Sequence, residues 1–156
     1  MKSNEQIIQE YEAQSRAAKD ELLRLQAERD AEIRAASDRA VLLNECAWRD
    51  YSERMTDLRA RRRRTMALLK MYLDTSTDDA DTKARTVEER HAELSDLQTA
   101  MDELKGEYHR KVREIADNRK TETVSARRHL DFKIEEQHAI IRALRDAFLK
   151  RINFNH

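Results

Sequence analysis

From Ile8 onward, apolar residues return at steps of three, four and seven: Ile8, Tyr11, Ala18, Leu22 and Leu25, with Ser15 as a weak member. That spacing keeps one side of an α-helix apolar and describes a heptad seam. Ser3 or Asn4, followed by Glu5 and Gln6, reads as the N-cap of this first helix. Arg29 and Glu32 interrupt the seam, and it resumes in a shifted phase at Ile33, Ala36, Ala40, Leu43 and Ala47. Such a shift changes the local winding of a coiled coil without ending it. Trp48, Tyr51, Met55 and Leu58 form the richest aromatic patch. After Arg61-Arg62-Arg63-Arg64, apolar residues from Met66 to Leu73 go round much of the helix, which predicts a thicker contact there.

Helix-breaking chemistry gathers at Asp74–Thr82, which reads DTSTDDADT. Ser76 or Thr77 is the expected N-cap of a second helix, with Asp78, Asp79 and Asp81 at its positive end. Lys70 and the arginines suit the negative end of the first helix. The second arm carries Val87, Leu94, Leu97, Met101, Leu104, Tyr108, Val112 and Ile115. Gly106 lies inside this run, where it weakens the helix and is expected to mark a close approach of backbones. Asp117–Thr123 is a second weak stretch, expected to lie roughly opposite Arg29–Glu32. A clean seam then returns at Leu130, Ile134, Gln137, Ile141, Leu144 and Phe148.

The expected fold is all-α: a long coiled coil of two antiparallel helices, a helical hairpin. It forms one elongated unit over residues 1–156, with arm 1 at about 4–73, a turn near 74–79 and arm 2 at about 80–152. The alternative is a single unbroken helix in an antiparallel or hetero-oligomeric coiled coil. Rise per residue makes the hairpin about 105 Å long and the straight helix about 230 Å. Folding at Asp78 sets Ile8 opposite Phe148, Tyr11 opposite Leu144, Leu22 opposite Ile134 and Leu25 opposite Leu130. It also sets Leu43 opposite Val112, Tyr51 opposite Leu104, Met55 opposite Met101 and Leu58 opposite Leu97.

Charge supports the same orientation. Successive blocks ending at Trp48, Leu73, Leu104 and His156 carry −3, +5, −7 and +5. A fold-back at Asp78 opposes unlike blocks, whereas an in-register parallel dimer opposes like ones. The Arg61–Arg64 run is then expected to pair with Glu88, Glu89 and Glu93.

Composition narrows the function more than it names it. Charged residues make up 40% of the chain and aromatics 5%, with one Gly and no Pro. Few turns are possible, and the balance is that of long helices. High charge also suits disorder, but the seam spacing argues against it. The formal net charge is zero, so no global field draws the chain to nucleic acid or membrane. Cys46, the only cysteine, forms no internal disulfide and is expected in or near the seam; its isolation fits a reducing compartment. No apolar run reaches the length of a membrane span. The expectation is a soluble, cytoplasmic, cytoskeleton-associated protein.

No glycine-rich phosphate loop, Cys pair or His-x-x-x-His is present, so neither a cofactor nor a metal is expected. The carboxylates lie on helix faces rather than around a concave pocket, and no enzyme is expected. Candidate interaction residues are Arg61, Arg62, Arg63 and Arg64, which offer charge to phosphate or to an acidic protein surface. No interleaved aromatics give a base-stacking platform, which argues against nucleic acid. Trp48 is a candidate partner anchor or a bulky edge of the seam. Ile152 and Phe154 are candidates as apolar residues beyond the seam.

In overall form the chain resembles cytoskeletal, axonemal and kinetochore coiled-coil proteins, and the helical-hairpin stalk proteins of bacterial secretion machines. The resemblance rests on the long, Pro-free, charge-rich helices and transfers no individual residue. It implies a scaffold or adaptor subunit of a larger intracellular assembly, bound to other coiled-coil proteins or to itself. The alternative function is an electrostatic module whose arginine run contacts polyanions such as nucleic acid or acidic tubulin tails.

Overall fold

The computed structural model describes residues 1–154, the last of them by its backbone alone. The chain is a helical hairpin: α1 spans Asn4–Thr75 and α2 spans Ala80–Phe154, packed antiparallel through a short turn. Among the described residues there is no strand. The helices form two compact units: Met1–Arg39 with the chain from Asn118 onward, called the outer unit, and Ala40–Asp117, called the inner unit for its place in the sequence.

α1 starts in a capping box. The Gln6 amide donates to Ser3 Oγ at 3.3 Å, and the Ser3 amide donates to Gln6 Oε1 at 3.0 Å. At its other end the Ser76 amide still donates to the Tyr72 carbonyl, at 2.8 Å. The cap of α2 is Asp79, not Ser76 or Thr77: Asp79 Oδ1 accepts from the Thr82 amide at 2.8 Å. Ser76 instead serves the turn, its Oγ accepting from the Asp78 amide at 3.1 Å. The Tyr72 hydroxyl donates to Asp78 Oδ2 at 2.8 Å and ties the turn to α1. No described residue has a positive φ. The reversal therefore runs on Asp and Ser side chains and needs no glycine.

In the outer unit, Leu25, Leu130 and Ile134 form a buried cluster with Leu22 packed against it, and Leu130 is completely buried. Gln137, also buried, donates from Nε2 to the Ala18 carbonyl at 2.9 Å. Tyr11 stacks on Phe148 with ring centroids 4.2 Å apart. In the inner unit, Ala40, Ala47 and Ile115 cluster with Tyr108, and Tyr51 stacks on Tyr108 at 4.6 Å.

The expected pairing of Leu22 and Leu25 with Ile134 and Leu130 holds, but the two ring stacks depart from the expected register. Tyr11 meets Phe148 rather than Leu144, and Tyr51 stacks on Tyr108 rather than on Leu104, one seam step further along. Ile7, not Ile8, is the buried residue of the first turns, and Leu43 is half exposed at 50%. The two weak stretches are offset rather than level: Arg29 pairs with Asp131 at 2.9 Å and Arg39 with Glu122 at 2.6 Å, while Glu32 shares a groove with Thr121 and Glu122.

The cause is visible in the burial pattern. In α1 a step of four follows a step of four at Ile7–Tyr11–Ser15, Leu25–Arg29–Ile33 and Ala47–Tyr51–Met55. In α2 the same happens at Leu104–Tyr108–Val112, Ala126–Leu130–Ile134 and Leu144–Phe148–Ile152. Each extra residue moves the mean repeat from the ~3.5 of a heptad towards the ~3.6 of an undistorted helix. Aligning the middle members of these triplets gives the observed pairings of Tyr11 with Phe148 and Tyr51 with Tyr108. Strict heptad counting misses this offset.

Gly106 marks no close approach. A Cβ there would meet only the guanidinium of Arg110, at 4.0 Å and from the same helix. Gly106→Ala should therefore stabilise the hairpin by roughly 0.5–1 kcal/mol, measured by chemical denaturation. A destabilised variant would contradict the open space around this position.

The hydrogen bonds from the Thr82 hydroxyl and amide hold the Asp79 carboxyl below its usual 3.8. A depressed folded-state pKa gives stability that is present above 3.8 and is lost as pH falls below it. Asp79→Ala should lower the melting temperature at neutral pH. Asp79→Asn should keep the cap yet flatten this part of the acid profile. Identical acid profiles for wild type and Asp79→Asn would remove Asp79 as a contributor.

Candidate interaction surfaces

Trp48 and the Arg61–Arg64 run lie on α1, and the exposure of each side chain follows from its angle to the seam. Trp48 is 56% exposed, yet its ring lies 5.7 Å from Tyr51 and 5.8 Å from Tyr108, edge-on to the latter. It is a bulky edge of the seam whose outer face remains free. Val41 and Leu42 lie just before it, 55% and 61% exposed. Cys46 is exposed rather than in the seam. The inner unit thus shows solvent apolar side chains near the aromatic patch, and of these residue spacing did not single out Val41 and Leu42.

Arg61, Arg62, Arg63 and Arg64 are all exposed. Arg61 pairs with Asp57 on its own helix, at 3.3 Å. The expected bridges to Glu88, Glu89 and Glu93 do not form. Glu93 is held instead by Arg90 at 3.0 Å and by the Thr65 hydroxyl at 3.4 Å. Thr65, next to the arginine run, is the residue that faces inward there. The two middle charge blocks therefore do not discharge in direct contacts: among the described residues no ion pair joins Arg49–Leu73 to Asp74–Leu104. Ion pairs between the helices lie elsewhere, at Arg29–Asp131, Arg39–Glu122, Arg54–Glu107 and Glu10–Arg151.

Ile152 is half-buried and lies four residues after Phe148, so it belongs to the seam rather than beyond it. The Phe154 side chain lies outside the described residues. Next to Ile152, Arg151 reaches Glu10 at 3.4 Å, and Glu10 also pairs with Lys2. These two cations, Lys2 foremost, hold the Glu10 carboxyl below its usual range.

The inner unit also carries a groove of about 400 Å³ lined by Glu53, Asp57, Glu103 and Glu107, with Leu58, Ala100 and Leu104 on its walls. Arg54 crosses it, 3.6 Å from both Asp50 and Glu107. Among the described residues no group of three or more His, Cys, Asp or Glu is placed to hold a metal ion. No described helix is long and apolar enough to cross a membrane.

Comparison with known protein families, with curated proteins and with solved structures finds no match to this chain. The class is defined by the fold alone: an all-α helical hairpin whose two arms pack along a narrow seam.

Trp48 is the only tryptophan, so its fluorescence reports on one flank of the inner unit. The isolated chain should emit near the solvent-exposed limit, and covering that flank should shift the emission to the blue. A blue emission from dilute, monodisperse chain would mean the flank is already covered.

Proposed function

We propose that this protein is a structural scaffold or adaptor, a brace that holds other polypeptides of a larger intracellular assembly along its helices. The single observation behind this reading is the apolar surface of the inner unit, where Val41, Leu42 and Trp48 each stay more than half exposed on α1. Contiguous exposed apolar side chains mark interaction sites on soluble proteins. Helical flanks of this kind take amphipathic helices. The cytoskeletal setting rests on likeness of form to cytoskeletal coiled-coil proteins. The work is mechanical rather than catalytic on this reading. In-cell cross-linking with mass spectrometry should give links from Lys70 and Lys111 to helical segments of other chains. Trp48→Ala with Leu42→Ser should reduce those links several-fold at unchanged helicity. Purely intramolecular links from the wild type would sink the reading.

A second reading is favoured by the solvent-facing Arg62, Arg63 and Arg64, which form no ion pair among the described residues. They suit an electrostatic module for an acidic protein surface. Such binding weakens steeply with salt, whereas apolar docking does not.

A further inference from the structure

Three chemistries follow one another at the tip of the hairpin: cations at Arg61–Arg64, apolar residues at Met66, Leu68, Met71 and Leu73, then carboxylates at Asp74, Asp78, Asp79 and Asp81. Little of this is satisfied within the chain. Arg61 reaches only Asp57, and the other three arginines form no described ion pair. The four apolar residues are 50%, 38%, 57% and 51% exposed. The opening turns of α2, Ala80–His91, offer Val87 as their one large aliphatic residue. The four carboxylates are exposed, and among the described residues none pairs with a cation. The Asp78 and Asp79 carboxylates accept only from neutral donors, the Tyr72 hydroxyl and the Thr82 amide and hydroxyl respectively.

The order is self-complementary. The midpoint between the cations and the carboxylates falls at Lys70, and the midpoint of the apolar stretch falls beside it. At 100° per residue Arg61, Arg64, Leu68 and Met71 share one side of α1, while Met66 and Leu73 lie on the other flank. A two-fold axis level with Lys70 would set Arg61 and Arg64 of one copy against the carboxylates of another, twice over, with Leu68 and Met71 meeting between them. A parallel arrangement would set arginine on arginine and aspartate on aspartate, which is destabilising. We propose that the tip is a self-docking surface, at which two copies of this chain meet antiparallel about Lys70. Such an isologous contact closes on itself and yields a dimer rather than a filament. It deepens the scaffold reading by naming one partner of the brace, a second copy.

The test is a charge swap in the full chain, read as solution mass by light scattering at low salt. Wild type should approach twice 18.5 kDa at micromolar concentration. One variant carries Arg61→Glu, Arg62→Glu, Arg63→Glu and Arg64→Glu. The other carries Asp74→Lys, Asp78→Lys and Asp81→Lys, sparing the cap at Asp79. Each alone should be monomeric, with association weakened at least about tenfold. Their equimolar mixture should recover the dimer, because each then meets its opposite. Circular dichroism checks helicity; should either variant lose it, the exposed Met71→Glu substitution provides the same loss of dimer. A monomeric wild type, a dimer indifferent to both reversals, or a mixture that stays monomeric would overturn the proposal. So would a monomer whose arginines instead bind poly-glutamate, which would assign them to a foreign acidic partner. These results leave the scaffold reading to its own cross-linking test, where Trp48 and Leu42 carry the outcome.

Discussion

The two ring stacks, Tyr11 on Phe148 and Tyr51 on Tyr108, are the contacts from which the pairing of α1 and α2 is measured. Two long helices with apolar stripes match at many offsets, because a repeat fits itself whenever it slides by one period. Large planar side chains reduce that freedom, since a ring placed against a small residue forfeits both area and stacking geometry. Each stack sits where both helices insert an extra residue into the heptad. In the outer unit the bond from Gln137 to the Ala18 carbonyl adds a polar constraint. Buried polar groups in coiled coils fix register because a slipped pairing leaves them unsatisfied.

A narrow seam leaves most of each helix to solvent, and the consequences differ along the chain. The outer unit combines its most deeply buried cluster with cross-helix ion pairs at Arg29–Asp131 and Arg39–Glu122. The inner unit leaves more chemistry unused. Its apolar flank around Trp48, its arginine run and its acidic turn all face outward. Exposed ion pairs contribute little to stability, roughly 0–1 kcal/mol each. Leaving the arginines without partners within the chain is therefore not expensive. Such groups remain available for association, and this places the proposed contacts of the brace in the inner unit.

The turn shows how helix capping replaces glycine. A reversal between two helices commonly recruits Gly or Asn for left-handed backbone. Here Asp79 caps α2, Ser76 holds the Asp78 amide, and Tyr72 clamps Asp78 from α1. The same carboxylates that make the turn also charge the tip. Local backbone chemistry and the electrostatics available for docking thus come from one short stretch.

Much of the architecture was legible in the sequence. Composition dictated helix, seam spacing dictated amphipathic arms, and the gathering of Asp, Ser and Thr after Leu73 located the reversal. These follow from local rules that act over a few residues. Tertiary structure decided what depends on two segments at once. It chose Asp79 over Ser76 as the cap, because the exit of α1 runs on to Thr75. It displaced the pairing of Tyr11 and of Tyr51 by one seam step, because rings and inserted residues had to align across the helices. It left Arg62–Arg64 facing solvent and brought Ile152 into the seam, since angle about the helix axis, not nearness in sequence, sets which side chains meet. Opposing charge blocks indicated the orientation of the arms, but only packing could say which charges would touch.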